Sequence, residues 1–217
     1  MKTLFQTRSF PRFFKSMIVI AGLMLLSAPA FAAPKKILAF GDSLTAGYGL
    51  PLDQAFPAQL EKKLKEKGYD VSVINAGVSG DTTAGGLTRL EWTLQQNPDY
   101  VILALGANDM MRAIDPKVSR ENLRQMMEIL KKKNIPVLLA GMKSFRNLSE
   151  LLGSGYQSMY KDLAKEYGAV YYPFFLKDVA LESKYNQEDG IHPNPAGVAV
   201  MVDNILPSVE KLLKSKK

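Results

Sequence analysis

The chain has no cysteine among its 217 residues, and it has only one histidine and one tryptophan. Without cysteine there can be no disulfide, so an oxidising compartment is tolerated but not used to stabilise the fold. One histidine and no cysteine argue against a zinc site, whereas a carboxylate-bound magnesium ion stays open. His192 is therefore the single candidate for a general base built on imidazole.

The sequence also lacks an apolar run of the roughly 20 residues that a membrane span needs. Its nearest approach is Met17–Leu26, which follows a basic region and precedes the small-residue sequence Ala30-Phe31-Ala32. This arrangement is typical of an export signal, so we expect residues 1–32 to be a signal peptide. An uncleaved membrane anchor is the alternative. We therefore expect a periplasmic or secreted protein whose domain spans residues 33–217.

Little net charge remains once that segment is set aside. The full chain has 28 basic and 21 acidic side chains, and four basic but no acidic ones lie within residues 1–32. The mature chain therefore has 24 basic and 21 acidic side chains, a net charge of +3, which is too mild to favour nucleic acid as a partner. Its length of about 185 residues suits one domain with a single core, and we expect a monomer.

Helical and strand patterns alternate along this domain with short connections, which is typical of an α/β fold. Five strands are predicted, at Lys36–Phe40, Val71–Ile74, Tyr100–Leu105, Ile135–Ala140 and Ala169–Tyr172. Right-handed crossovers would give a five-stranded parallel sheet between two helix layers, a three-layer sandwich. By analogy with other doubly wound sheets we expect the strand order 2-1-3-4-5. The last helix is predicted over Ala196–Leu206, where Pro207 should kink or end it.

A serine follows the first predicted strand directly, in the stretch Gly41-Asp42-Ser43-Leu44. That strand is apolar without alternation, and parallel sheets with such strands bind ligands beyond their carboxyl ends. Asp42 and Thr45 are expected to fix the direction of Ser43 by bonding nearby amides. The alternative is an ordinary strand-to-helix turn, because short Gly/Ser motifs recur by chance.

Three further polar stretches should face the same edge of the sheet. They are Asn75–Gly80, Gly106–Asp109 and Asp189–His192. A serine hydroxyl becomes a good nucleophile when a base takes its proton, and Asp189 could hold one ring nitrogen of His192 while the other faces the serine.

An acyl-transfer intermediate also needs donors for its oxyanion. The backbone N–H of Gly77, the side chain of Asn108 and the amide of Ser43 are the candidates. Glycine and asparagine are also common turn residues, so each assignment has a purely structural alternative.

The four stretches, in this order, resemble the SGNH or GDSL hydrolases, and within them the bacterial secreted arylesterase, lysophospholipase and acyl-CoA thioesterase I group. The resemblance implies a flavodoxin-like fold and a serine esterase that acts on an acyl ester or lipid, with transient membrane-surface contact and no cofactor or metal. It also implies the role of each site residue: nucleophile, Ser43; base, His192; orienting carboxylate, Asp189; oxyanion donors, Ser43, Gly77 and Asn108.

Two other functions stay open at this stage. One is O-deacetylation of a polysaccharide or peptidoglycan, and the other is an exported protein that binds a lipid or ester without hydrolysing it. A classical α/β-hydrolase is disfavoured because the chain contains no G-x-S-x-G sequence. The apolar segment Lys143–Gly155 could be a flap over the acyl group or a short helix packed on the core, and the sequence favours neither.

Overall fold

A parallel sheet of five strands forms the centre of the computed structural model, which describes residues 33–143 and 155–215. Its strands lie in the order β2-β1-β3-β4-β5, so the predicted order is confirmed. The bounds are β1 Lys35–Gly41, β2 Val71–Gly77, β3 Tyr100–Ala104, β4 Val137–Ala140 and β5 Val170–Tyr172.

The three central strands are covered on both faces. All five residues of β3 and all four of β4 are buried, as are the last five of β1. These segments are continuous runs of Val, Ile, Leu, Ala and aromatic residues, the composition expected where helices cover both sides of a parallel sheet. Gly41, the last residue of β1, pairs with Gly77 of β2 and with Ala104 of β3, so these three strands end at the same level.

Helices flank the sheet in two layers, because α2 packs against α7 while α3 and α6 both pack against α5. The described helices are α1 Ser43–Ala46, α2 Phe56–Glu66, α3 Thr83–Thr93, α4 Ala107–Met111, α5 Pro116–Lys132, α6 Gly155–Tyr167 and α7 Pro195–Lys214. The α/β three-layer sandwich is therefore confirmed. None of the helices in the described ranges is long and apolar enough to cross a bilayer.

Side-chain caps begin four of these helices. Asp42, Thr82, Asp115 and Asn194 each accept a backbone N–H from the first turn of α1, α3, α5 and α7 respectively. Such a cap replaces one of the hydrogen bonds that the first turn of a helix cannot make internally. The caps of α1 and α3 lie beside the stretches that carry polar residues, so local capping also fixes the entry of those stretches.

Pro207 was predicted to kink or end the last helix, and the second of these alternatives is wrong. Helix α7 continues through Pro207 to Lys214. Proline removes one backbone donor, but Val209 and Leu212 beyond it are buried in the core. Burial of this apolar face outweighs the lost hydrogen bond, because most helix stability in a protein comes from packing.

Ser43 and Asn108 follow the carboxyl ends of β1 and β3, and His192 precedes α7, as predicted, whereas Gly77 is the last residue of β2 itself. Of the segment Lys143–Gly155, residues 144–154 lie outside the described part of the chain, so its role as a flap or a core helix stays a prediction.

Candidate active site

Ser43 is the first residue of α1, immediately after β1. Oδ1 of Asp42 accepts the N–H of Leu44 at 3.0 Å, which starts the helix and sets the direction of Ser43. A side chain at Gly41 would lie 2.7 Å from the carbonyl oxygen of Ala104, so only glycine fits at this strand end. Thr45 does not take part as predicted, because its buried hydroxyl has no hydrogen-bond partner among the described residues.

His192 joins Ser43 to Asp189. Its Nε2 atom lies 2.9 Å from Oγ of Ser43, and its Nδ1 atom lies 2.6 Å from Oδ2 of Asp189. The other carboxylate oxygen, Oδ1 of Asp189, accepts the backbone N–H groups of Ile191 and His192, both at 2.9 Å. The fold thus brings together three residues that the sequence analysis selected, although Ser43 and His192 lie 149 positions apart in the chain.

The negative charge of Asp189 determines which ring nitrogen of His192 carries the proton. Hydrogen bonds from the backbone and side chain of His192 and from the backbone of Ile191 lower the pKa of Asp189 to about 2. Asp189 is therefore an anion at neutral pH and holds the proton of the imidazole on Nδ1. Nε2 then has a free lone pair directed at the hydroxyl of Ser43, which is the geometry of general-base activation.

Two residues that the sequence analysis did not select hold the histidine loop in place. Gln187 donates from Nε2 to the carbonyl oxygen of Tyr48 at 2.7 Å, and its own N–H donates to the carbonyl oxygen of His192 at 2.8 Å. The ring of Tyr48 packs on the imidazole with 4.5 Å between centroids. Gln187 thus ties the loop of His192 to the chain just after α1, and only the fold reveals this contact.

Asn108 lies on α4 and is buried beside Ser43. Its Nδ2 atom donates to the carbonyl oxygen of Asp81 at 2.9 Å and lies 3.4 Å from Oδ2 of Asp42. The neighbouring carboxylate of Asp109 is also buried, and it accepts the N–H of Thr83 and the hydroxyl of Ser119, both at 2.8 Å. This network fixes the start of α4 and therefore the direction of Asn108.

Gly77 has a hydrogen-bond partner within its own stretch. Its N–H donates to Oδ1 of Asn75 at 3.0 Å. A side chain at this position would lie 2.2 Å from the backbone nitrogen of Ala46, so close packing on α1 explains why this residue is glycine. The role of its N–H as an oxyanion donor stays a prediction, with Asn75 as an internal competitor.

Gly80, three positions later, is a further candidate backbone donor, which the sequence analysis did not select. It is exposed, its φ is 82°, and none of the described residues accepts its N–H. Its neighbour Asp81 accepts the side chain of Asn108, so Gly80 lies next to another candidate donor. Glycine adopts this left-handed backbone without strain. The sequence indicated it only through the turn composition of Ser79-Gly80-Asp81.

Asp42 is a buried carboxyl group beneath the serine. Burial raises its pKa to about 7, although the hydrogen bond from Leu44 and the proximity of His192 both act in the opposite direction. The nearby charge of Asp81 adds to the increase. Asp42 therefore changes charge near neutral pH at a distance of one residue from the nucleophile candidate.

An apolar cavity of about 210 Å³ opens beside Ser43 and Asn108. Its apolar walls include Met110, Met142, Phe174, Leu176, Leu181 and Ile191. The cavity can hold a hydrocarbon chain while its polar end meets the serine. Among the described residues, no cluster of three or more histidine, aspartate or glutamate side chains could hold a metal ion.

A family model described as the GDSL-like lipase/acylhydrolase family matches residues 39–200. The chain belongs to this family. It is 39% identical to an arylesterase of Vibrio mimicus over 183 residues, which cover 82% of this chain and 91% of the relative. It is 36% identical to the thioesterase 1/protease 1/lysophospholipase L1 of Escherichia coli K12, over 88% of this chain and 90% of the relative.

A solved structure agrees with this family assignment. The crystal structure of TesA is 35% identical to the chain and superposes with a TM-score of 0.78, covering 82% of this chain and 99% of TesA. The resemblance found in the sequence is therefore confirmed, and this member of the GDSL-like family is a serine esterase.

Proposed function

We propose that the chain hydrolyses carboxylic esters through an acyl-enzyme on Ser43. Oγ of Ser43 attacks the ester carbonyl carbon while Nε2 of His192 takes the hydroxyl proton, and the anion of Asp189 stabilises the resulting imidazolium. Collapse of the tetrahedral intermediate breaks the bond to the alcohol, which leaves with the proton from His192. The single observation that carries this proposal is the 2.9 Å contact between Nε2 of His192 and Oγ of Ser43.

The second half of the reaction uses the same residues. A water molecule gives a proton to Nε2 of His192 and attacks the acyl carbon. The ester bond to Ser43 then breaks, and the serine recovers its proton as the free acid leaves. Each cycle therefore consumes one water molecule and returns the site to its starting state.

Three N–H groups are proposed to stabilise the oxyanion in both halves. The first is the amide of Ser43, which begins α1 and therefore has no partner inside the helix. The second is Nδ2 of Asn108. For the third donor we favour Gly80 over Gly77, because the N–H of Gly77 already donates to Asn75.

The cavity supports a hydrophobic acyl chain as the substrate group. Its walls are mostly aliphatic, aromatic and methionine side chains, and burial of each CH₂ contributes about 0.8 kcal/mol. The relatives named thioesterase and lysophospholipase support thioesters and lysophospholipids as further substrates. A thioester needs no new chemistry, because a thiol simply replaces the alcohol as the leaving group.

A panel of p-nitrophenyl esters with acyl chains of two to twelve carbons tests this function. We expect faster turnover of esters with medium or long acyl chains. An organophosphate should add covalently to Ser43 and stop turnover. Ser43→Ala should abolish both turnover and labelling, whereas the exposed control Ser183→Ala should retain both. Ester binding without turnover would support the binding protein instead, and exclusive use of acetyl groups would support the O-deacetylase.

We further propose that the mature domain, residues 33–217, acts as a monomer in the periplasm or outside the cell. The basic region, apolar run and Ala30-Phe31-Ala32 sequence support export and cleavage before Ala33. Exposed Met111, Leu181 and Ile191 at the cavity support transient contact with a lipid surface that delivers the substrate.

N-terminal sequencing of protein from the native envelope tests export. We expect a soluble chain that begins at or near Ala33, whereas an intact residue 1 in washed membranes would support the anchor instead. Flotation with lysophospholipid-containing vesicles tests the lipid contact, which should be weak and reversible.

A further inference from the structure

Arg89 lies on α3, outside the four polar stretches, yet its guanidinium group reaches the carboxyl end of the sheet. Nε donates to Oδ2 of Asp81 at 2.6 Å. Nη1 donates to the carbonyl oxygen of Ala76 at 3.0 Å, and Nη2 donates to that of Gly41 at 2.9 Å. One side chain therefore binds two backbone carbonyl groups and one side-chain carboxylate around the site.

Each of these acceptors leads directly to a proposed oxyanion donor. Gly41 lies two residues before Ser43. Ala76 is the last residue before the turn that contains Gly80, and Asp81 closes that turn. The carbonyl oxygen of Asp81 is also the acceptor that holds Nδ2 of Asn108. Arg89 thus bonds directly to the segments of Ser43 and Gly80, and it is linked to Asn108 through Asp81.

The chemistry of the contact favours arginine over other donors. The guanidinium group is planar and rigid, with donors that point in fixed directions, so it fixes the distances between its acceptors as well as binding them. It also stacks 4.0 Å over the ring of Phe40, a residue of β1. A lysine would carry the same charge but could not hold both carbonyl groups in this geometry.

The position of Arg89 is itself well determined. Its side chain is 19% exposed and that of Asp81 is 13% exposed, so the ion pair is largely screened from water. Gly41 and Ala76 pair with neighbouring residues across β1 and β2, which gives the guanidinium group a rigid base. The stretch from Gly77 to Asp81 is also bonded by the N–H of Val78 to Gly41 and by Arg112 to Gly80, and Arg89 adds a charged, part-buried contact at its Asp81 end.

We propose that Arg89 is a positioning residue that sets the spacing of the oxyanion donors at Ser43, Gly80 and Asn108. This inference rests on the proposed function, because it assumes an acyl-enzyme on Ser43. Arg89 touches neither the serine hydroxyl nor the histidine, so it acts through the backbone. Its loss should therefore weaken stabilisation of the transition state and leave binding of the ground-state ester nearly unchanged.

The experiment compares Arg89→Met, Arg89→Lys and the control Arg120→Met on a p-nitrophenyl octanoate substrate. We expect Arg89→Met to lower kcat by about 10- to 100-fold, the range that a small misplacement of catalytic groups produces, with KM changed less than about threefold. Arg89→Lys should fall between this variant and the parent. The control Arg120→Met should leave kcat and KM unchanged, because Arg120 pairs with Glu166 on the surface.

Two further measurements separate positioning from folding. The rate of covalent inactivation by an organophosphate should fall with kcat, because that reaction also develops charge on the oxyanion. Added guanidinium ion should partly restore kcat in Arg89→Ala without restoring it in Ser43→Ala. If Arg89→Met fails to fold, kcat, KM and the inactivation rate are compared between Arg89→Lys and the parent protein.

The outcomes distinguish this inference from the proposed function. An inactive Ser43→Ala together with unchanged kcat in folded Arg89→Met and Arg89→Lys would overturn the role of Arg89 alone. A rise in KM without loss of kcat would overturn it too, since Arg89 would then serve substrate binding. Activity retained in Ser43→Ala would instead overturn the proposed function.

Discussion

The Nδ2 atom of Asn108 lies 2.9 Å from the carbonyl oxygen of Asp81, a residue from a different loop. This hydrogen bond uses one of the two amide protons and fixes the plane of the amide group. Nδ2 also donates to Oδ2 of Asp42 at 3.4 Å, a distance at which a hydrogen bond is weak. Asn108 is therefore held in one orientation, and we expect a substrate oxyanion to replace its long contact with Asp42.

Replacement of Asn108 by alanine tests its role as a donor. We expect kcat for p-nitrophenyl octanoate to fall by about 10²- to 10³-fold, as loss of one oxyanion donor typically does, with little change in KM. Asn204→Ala is a matched control, because Asn204 also donates from Nδ2 to a backbone carbonyl at 2.9 Å, that of Lys177. An Asn108→Ala variant with normal kcat and a raised KM would identify the residue as a binding contact.

Replacement of Asp189 by asparagine tests how the histidine is oriented. Asparagine keeps the size of the side chain but removes the charge that holds a proton on Nδ1 of His192. We expect kcat to fall by about 10²- to 10⁴-fold while the fold is retained. In the parent, the pKa of Asp189 of about 2 means that its protonation should not reduce kcat/KM above about pH 4.

The pH profile of kcat/KM checks this second point. A loss of activity between pH 7 and pH 5 belongs to groups other than Asp189. A profile that follows a carboxyl group with a normal pKa, and loses that step in Asp189→Asn, would contradict the strong hydrogen bonding between Asp189 and His192.

Asp42 should make the stability of the protein depend on pH. Its pKa is about 7 in the folded chain because of burial, against 3.8 for an ordinary aspartate. Between these two values the folded chain binds more protons than the unfolded chain. The free energy of unfolding should therefore fall as pH rises through this window, and Asp42 should add no further change well above pH 7.

Urea unfolding of the parent and of Asp42→Asn between pH 4.5 and pH 8 measures this effect. Asparagine retains an oxygen for the N–H of Leu44 but cannot ionise. The free-energy difference between the two proteins should change with pH by up to about 1.4 kcal/mol per unit, in favour of the variant at higher pH. Parallel stability curves would mean that Asp42 stays charged over the whole range.

The sequence predicted the sheet and the grouping of Ser43, His192 and Asp189 for physical reasons. Apolar runs such as β3 need cover on both faces, so they identify a parallel sheet, and such a sheet gathers its loop residues at one edge. Ser43 could be selected because it follows a buried strand, and His192 because it is the single histidine of the chain. Their 2.9 Å contact is a consequence of that shared edge.

Other features depend on contacts between distant parts of the chain and could not be predicted in this way. Arg89 looks like an ordinary polar residue of a surface helix, and only the fold reveals the carbonyl groups of Gly41 and Ala76 beside it. Pro207 is an intrinsic helix breaker, but the packing of the residues beyond it overrides that preference. Gly77 was selected for its backbone donor, whereas the structure shows that a side chain at this position would collide with the backbone of Ala46.

The cavity makes a prediction about acyl-chain length that involves Leu181. This side chain lines the cavity, is 76% exposed and has a φ of 66°. Asparagine tolerates such a backbone angle well, so Leu181→Asn should remove apolar contact without adding strain. We expect kcat/KM for octanoyl esters to fall by about 0.8 kcal/mol, or roughly fourfold, for each CH₂ that loses its contact.

Acetyl esters should be almost unaffected by the same change, because a two-carbon chain does not extend to Leu181. The control is Leu52→Asn, which alters a leucine that is 82% exposed and does not line the cavity. It should leave the octanoyl-to-acetyl ratio of kcat/KM unchanged. An equal loss on both esters in Leu181→Asn, together with a lower melting temperature, would assign Leu181 to the stability of its loop and not to the acyl site.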